Sequence, residues 1–161
     1  MDKFLPLIQK IISSKLLIDD LYFIPLSGAS DEQIRVTEKE LNFPLSEEFK
    51  EFLKLWNGAN LDVVRVYGCN KIDASIPTLK DTQNGYIARG YLIIGSDPAG
   101  FLFAQNKLGE IFSIDMEGEE IQKVAKNFED FLCDYIFGQR AESFAGKEWK
   151  DELIKAGIIS I

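Results

Sequence analysis

IGSDPAGFLFAQ, residues 94–105, sets two glycines and an aspartate between apolar runs, which suits either a phosphate cradle or a chain reversal. A phosphate loop needs a strand, then glycines that let backbone amides close on the anion, then a helix whose amino end faces it. Here Gly100 is followed by Phe101-Leu-Phe-Ala104, a β-prone run, and neither G-x-G-x-x-G nor G-K-[ST] occurs. Asp97-Pro98-Ala99-Gly100 carries the side-chain acceptor, the fixed φ and the glycine of a turn. The stretch therefore predicts a β-hairpin and points away from nucleotide chemistry.

Working outward, Leu61–Tyr67, Tyr91–Ile94, Phe101–Ala104 and Glu110–Asp115 read as strands separated by Gly and Asn turn signals, and short loops favour antiparallel neighbours. Residues 70–89 are polar, hold Pro77 and Gly85, and predict an irregular crossing with one short helix around Thr78–Thr82. Upstream, Ser30-Asp-Glu-Gln33 is a capping box for a helix buried through Ile34 and Leu41. Asn42-Phe-Pro44 breaks it, and Ser46 restarts a helix with Phe49, Phe52, Leu53 and Trp56 inward and Asn57-Gly58 as a left-handed stop. Leu21–Leu26 suits an extended segment or an edge strand.

Phe4, Leu7, Ile8, Ile11, Ile12, Lys15 and Leu16 trace the stripe of a first helix, with Pro6 in its first turn. Asn127 caps a helix carrying Phe128, Phe131, Leu132, Tyr135 and Ile136, closed by Gly138. A last helix over Lys147–Ala156 buries Trp149, Leu153 and Ile154 and stops at Gly157. No internal repeat, low-complexity tract or linker stands out. The expectation is one α+β domain over 1–161, with a largely antiparallel or mixed sheet of four to six strands and helices packed on it.

Composition narrows the function classes. The 161 residues contain no histidine, which removes Ser-His and Cys-His nucleophile pairs and His metal ligands. Cys69 and Cys133 stand alone, without zinc or redox spacing, and are expected to be buried small apolar residues. A net charge of −8 repels nucleic-acid phosphate and anionic lipid and draws basic partners. Arg65, Lys71, Lys80 and Arg89 form no aromatic-interleaved stripe, so direct nucleic-acid binding is not expected. With no signal-peptide cleavage pattern and no long apolar block, a cytoplasmic protein without a membrane span is expected.

Asp115, Glu117, Glu119 and Glu120 gather around Gly118, but an EF-hand would require glutamate where Val124 stands, so no metal and no cofactor is expected. Two acids across a cleft would suit glycoside hydrolysis, a geometry that the sequence does not display.

GASDEQI at 28–34, FPLSEEFKEFLKLWNGAN at 43–60, VYG at 66–68, LIIGSDPAGFLF at 92–103, GEIFSID at 109–115 and NFEDFL at 127–132 together resemble the SUKH superfamily. That group includes the fungal Smi/Knr cell-wall regulators and the bacterial Syd-like proteins. The resemblance covers about residues 27–137, with the first and last helices added outside it. Many relatives place proline directly after the leucine before the acidic pair, whereas this chain has Leu45-Ser46 with Pro44 earlier, and a serine cap does the same work. The resemblance implies a SUKH-like α+β fold, usually no catalytic site, and, for bacterial relatives, an immunity protein that binds a cognate toxin of a polymorphic toxin system. A basic nuclease toxin suits the negative field. Asp62, Asp97, Asp115, Glu117, Glu119 and Glu120 are the contact candidates, chosen for charge and loop placement. The alternatives are a regulatory scaffold that binds a cellular enzyme and a carboxylate-dependent hydrolase.

Overall fold

Helix α2, Asp31–Leu41, opens on Ser30, whose Oγ accepts from Gln33 N–H while Gln33 Oε1 accepts from Ser30 N–H. Two of the amides a helix start leaves unpaired are thereby satisfied. The helix ends at Asn42, in the left-handed region at φ 51°. Helix α3, Glu47–Leu55, starts on Ser46 with Glu47 and Glu48 at the positive end of its dipole. These details come from a computed structural model that describes residues 3–14, 16–17 and 21–160.

Helix α1, Phe4–Ser14, buries Phe4, Leu7, Ile8 and Ile11, while Ile12 is exposed and drops out of the expected stripe; Lys15 lies outside the described residues. Aromatic rings tie the helices together. Phe52 meets Phe4 at 5.6 Å and Phe128 at 5.1 Å, and Phe49 meets Phe128 at 4.9 Å. Phe128 opens α4, Phe128–Asp130, with Asn127 as its cap, and the chain continues as a π-helix over Phe131–Ile136. Phe103 of the sheet meets Phe131 at 4.9 Å, so one aromatic chain joins five elements.

The sheet is an antiparallel meander of six strands in sequence order: β1 Ala59–Asn60, β2 Arg65–Val66, β3 Leu92–Ser96, β4 Leu102–Gln105, β5 Ile111–Ile114 and β6 Ile121–Ala125. The expected strand at Leu61–Tyr67 is instead the turn and second strand of a hairpin, because Asp62 takes φ 67° and Leu61 N–H bonds Val64 O at 2.9 Å. Phe23 makes one isolated antiparallel bridge with Asn60, so the Leu21–Leu26 stretch touches the β1 edge there without forming a strand. Phe103 pairs with Ser113 and Ala104 with Phe112, so the two phenylalanines face opposite sides. Phe103 packs on the helices, and Phe112 meets Tyr91 at 5.3 Å.

The 94–105 hairpin forms as expected, and its turn chemistry recurs. Asp97, Asn106 and Asp115, nine residues apart, each accept at their carbonyl from the glycine three positions on, with Gly100, Gly109 and Gly118 at φ 97°, 85° and 71°. The absence of an internal repeat is thus corrected: Asx-x-x-Gly plus a five-residue run is a turn-and-strand period that builds β4, β5 and β6. Strand β6 escaped the alternation pattern because Gln122 and Lys123 are exposed at the sheet edge.

Residues 78–82 make a single turn, with Asp81 N–H on Thr78 O, and the short helix is a 3-10 turn at Tyr86–Arg89 instead. Gln83 holds the crossing to β3 by donating to Ile93 O at 2.9 Å and accepting from Ile93 N–H at 2.8 Å. Helix α3 ends on an extended Trp56 and not on a left-handed residue; Gly58, at φ 81°, serves close packing, since a Cβ there would lie 2.7 Å from Ile76 Cγ2. Helix α5, Ala141–Ala145, precedes α6, Lys147–Lys155, where Trp149 and Leu153 are buried and Ile154 is half-buried. Cys69 and Cys133 are half-buried free thiols.

Candidate protein-binding surface

Strand order decides where the acids go. In a meander, alternate connections lie at the same end of the sheet. One row of partners runs Asn60, Arg65, Ser96, Leu102, Ile114 and Ile121 across all six strands. Beyond that row lie the β1–β2, β3–β4 and β5–β6 turns, at 61–64, 97–101 and 115–120. These turns hold Asp62, Asp97, Asp115, Glu117, Glu119 and Glu120 and neither lysine nor arginine. All six sequence candidates therefore lie at one end of the sheet, with Arg65 as the basic residue next to them.

The six do different work. Asp97 Oδ1 accepts from Phe101 N–H at 2.9 Å, and Asp115 Oδ1 accepts from Glu119 and Glu120 N–H at 2.8 and 3.2 Å. Both carboxylates close their own turns. Burial pushes the Asp97 carboxyl above its ordinary range, against the opposing pull of the Phe101, Ala99 and Gly100 amides. Asp62 is half-buried in a turn shaped by Asn60 Oδ1, which accepts its N–H at 3.0 Å. Glu117, Glu119 and Glu120 are exposed.

Arg140 ties β6 to α4 and the π-helix. Its Nε donates to Asp134 at 2.6 Å, Nη2 to Asp130 at 2.9 Å and Nη1 to Val124 O at 2.7 Å. Its guanidinium also covers the Tyr135 ring at 5.5 Å. The Tyr135 hydroxyl is raised chiefly by burial, with Arg140 opposing and Asp97 adding to the rise. Sequence reasoning had no signal for Arg140, whose partners lie 6 to 16 positions away.

An acid pair poised for catalysis would need to converge with one carboxyl protonated. In one cavity, of about 160 Å³ between α2 and the crossing segment, Glu40 pairs with Lys80 at 2.7 Å, and Arg35 holds Glu32 below the ordinary carboxylate range by hydrogen bond and charge; in another, of about 470 Å³, Asp130 and Asp134 are both paired with Arg140. Neither thiol is primed as a nucleophile: burial raises Cys69 and, with Glu129 adding, pushes Cys133 up to about 12. Among the described residues no group of three or more His, Cys, Asp and Glu could hold a metal ion, and no helix is long and apolar enough to cross a membrane.

Comparison with curated proteins gives no match. The model of the SMI1 / KNR4 family (SUKH-1) matches residues 28–134, from the entry to α2 into the π-helix, and leaves α1, α5 and α6 outside. With two-thirds of its length matched, including the capping box, the 94–105 hairpin and most of the aromatic chain, this chain belongs to the SMI1 / KNR4 family (SUKH-1).

Proposed function

We propose that the chain is a non-enzymatic protein-binding module of the immunity type, which neutralises a cognate toxin by seating the acidic end of its sheet on a basic surface. The observation that carries this reading is topological: three alternate turns, which themselves hold neither lysine nor arginine, bring six acids to one end, with Arg65 beside them. Complementary charge speeds encounter and fixes orientation, and a nuclease domain, built to hold phosphate, offers the matching surface. Family membership supports a protein partner in general.

The test is capture of toxins encoded beside the gene by the wild-type chain and by a Glu117→Lys, Glu119→Lys, Glu120→Lys variant. The expected result is capture by the wild type, with an association rate that falls as salt rises and falls at least about tenfold in the variant. Capture of one endogenous enzyme and no toxin would replace this reading with that of a regulatory scaffold.

A further inference from the structure

Single exposed apolar residues are ordinary on protein surfaces, but two on turns at the same end of one sheet make a candidate patch. Met116, at the tip of the β5–β6 turn, is 71% exposed, and Phe101, at the foot of the β3–β4 turn, is 38% exposed. Met116 lies over Gly100, the residue before Phe101: a Cβ on Gly100 would stand 3.0 Å from Met116 Cγ and 3.2 Å from its Sδ. Asp62, Asp97, Asp115, Glu117, Glu119 and Glu120 occupy the turns around this patch.

We infer that Met116 and Phe101 form the apolar anchor of the docking surface, and that the partner element seated there is a lysine- or arginine-rich segment with an aliphatic or aromatic centre. The inference rests on the reading of this end as the binding end and specifies its chemistry. An apolar centre inside a charged rim is the arrangement in which a few desolvated contacts carry most of the binding energy. The anchor is preorganised. Asp97 holds Phe101 through both its carboxylate and its N–H, which bonds Phe101 O at 3.0 Å, and Asp115 holds the Met116 turn through Gly118, Glu119 and Glu120. Little ordering is left for the partner to impose. The unbranched thioether of Met116 adapts to more than one shape of apolar partner.

The test titrates the full chain with two hexapeptides of equal charge, Lys-Lys-Leu-Leu-Lys-Lys and Lys-Lys-Ser-Ser-Lys-Lys, followed by amide chemical shifts. The leucine peptide is expected to bind at least about fivefold more tightly, with shifts centred on residues 61–64, 97–102 and 115–120. Met116→Ser, at an exposed site, is expected to abolish the preference while leaving the serine peptide's affinity unchanged. Glu117→Gln with Glu119→Gln and Glu120→Gln weakens both peptides. Equal affinities for the two peptides, or shifts centred elsewhere, overturn the assignment. The titration reads the surface whatever the natural partner is, so failed toxin capture beside a positive titration removes the toxin reading alone.

Discussion

Asp97 and Phe101 are bound to each other twice across one turn: Asp97 N–H donates to Phe101 O at 3.0 Å, and Asp97 Oδ1 accepts from Phe101 N–H at 2.9 Å. The first bond belongs to any hairpin; the second needs a side-chain acceptor.

Asp97→Ala is expected to cost about 1 kcal/mol, the worth of a side-chain turn or cap bond, while Asp97→Asn keeps the acceptor. Burial raises the folded-state pKa above the unfolded value, so the native state binds its proton more readily. Wild-type stability therefore declines as pH rises from the unfolded value of 3.8 through the raised folded value, and the cost stands in full above it. Asp97→Asn is expected to lack that slope and to match or exceed the wild type at neutral pH. Thermal melts of both variants from pH 3 to 7 measure it.

Gln105 is buried and clamps the sheet to the link between α2 and α3, donating to Pro44 O at 2.9 Å and accepting from Ser46 N–H at 3.2 Å. Gln105→Ala leaves both backbone groups without this partner and opens a void. A loss of about 2–4 kcal/mol in urea denaturation is expected.

Gly95 packs where strands approach. A Cβ there would stand 2.5 Å from Arg65 O, a backbone atom that moves only with β2. Gly95→Ala is expected to lose about 1–3 kcal/mol, with amide shifts propagating along Arg65–Val66. An unchanged urea midpoint would refute the close approach.

Arg140 uses three separate nitrogens on Asp134, Asp130 and Val124 O. A lysine ammonium lacks that planar fork, so Arg140→Lys is expected to destabilise by about 1–2 kcal/mol and to speed amide exchange in Ile121–Ala125. Exchange at the wild-type rate would show that the β6 edge is held by other contacts.

The legible parts of the fold were those written in local chemistry. Ser30 with Gln33, Ser46, Asn127 and Asp97 through Gly100 each act within a few residues, and all four formed as read. Strand β6 was missed because an edge strand tolerates Gln122 and Lys123, and the signal that would have found it was the third Asx-x-x-Gly, at Asp115. The crossing segment was misread because Gln83 is fixed by Ile93, ten residues on, and not by its own helix. The candidate acids could be named from charge, yet their gathering at one end follows from strand order, which no single segment carries. Met116 was passed over for the same reason: its neighbour Gly100 is sixteen positions away in sequence.

The four-residue turns, recurring every nine residues, separate what must be kept from what is free to drift. Each closes on its first and fourth residues, so Pro98, Ala99, Met116 and Glu117 sit between fixed posts. Substitutions at those tips can therefore reshape the surface at this end of the sheet while leaving the backbone bonds that close each turn in place.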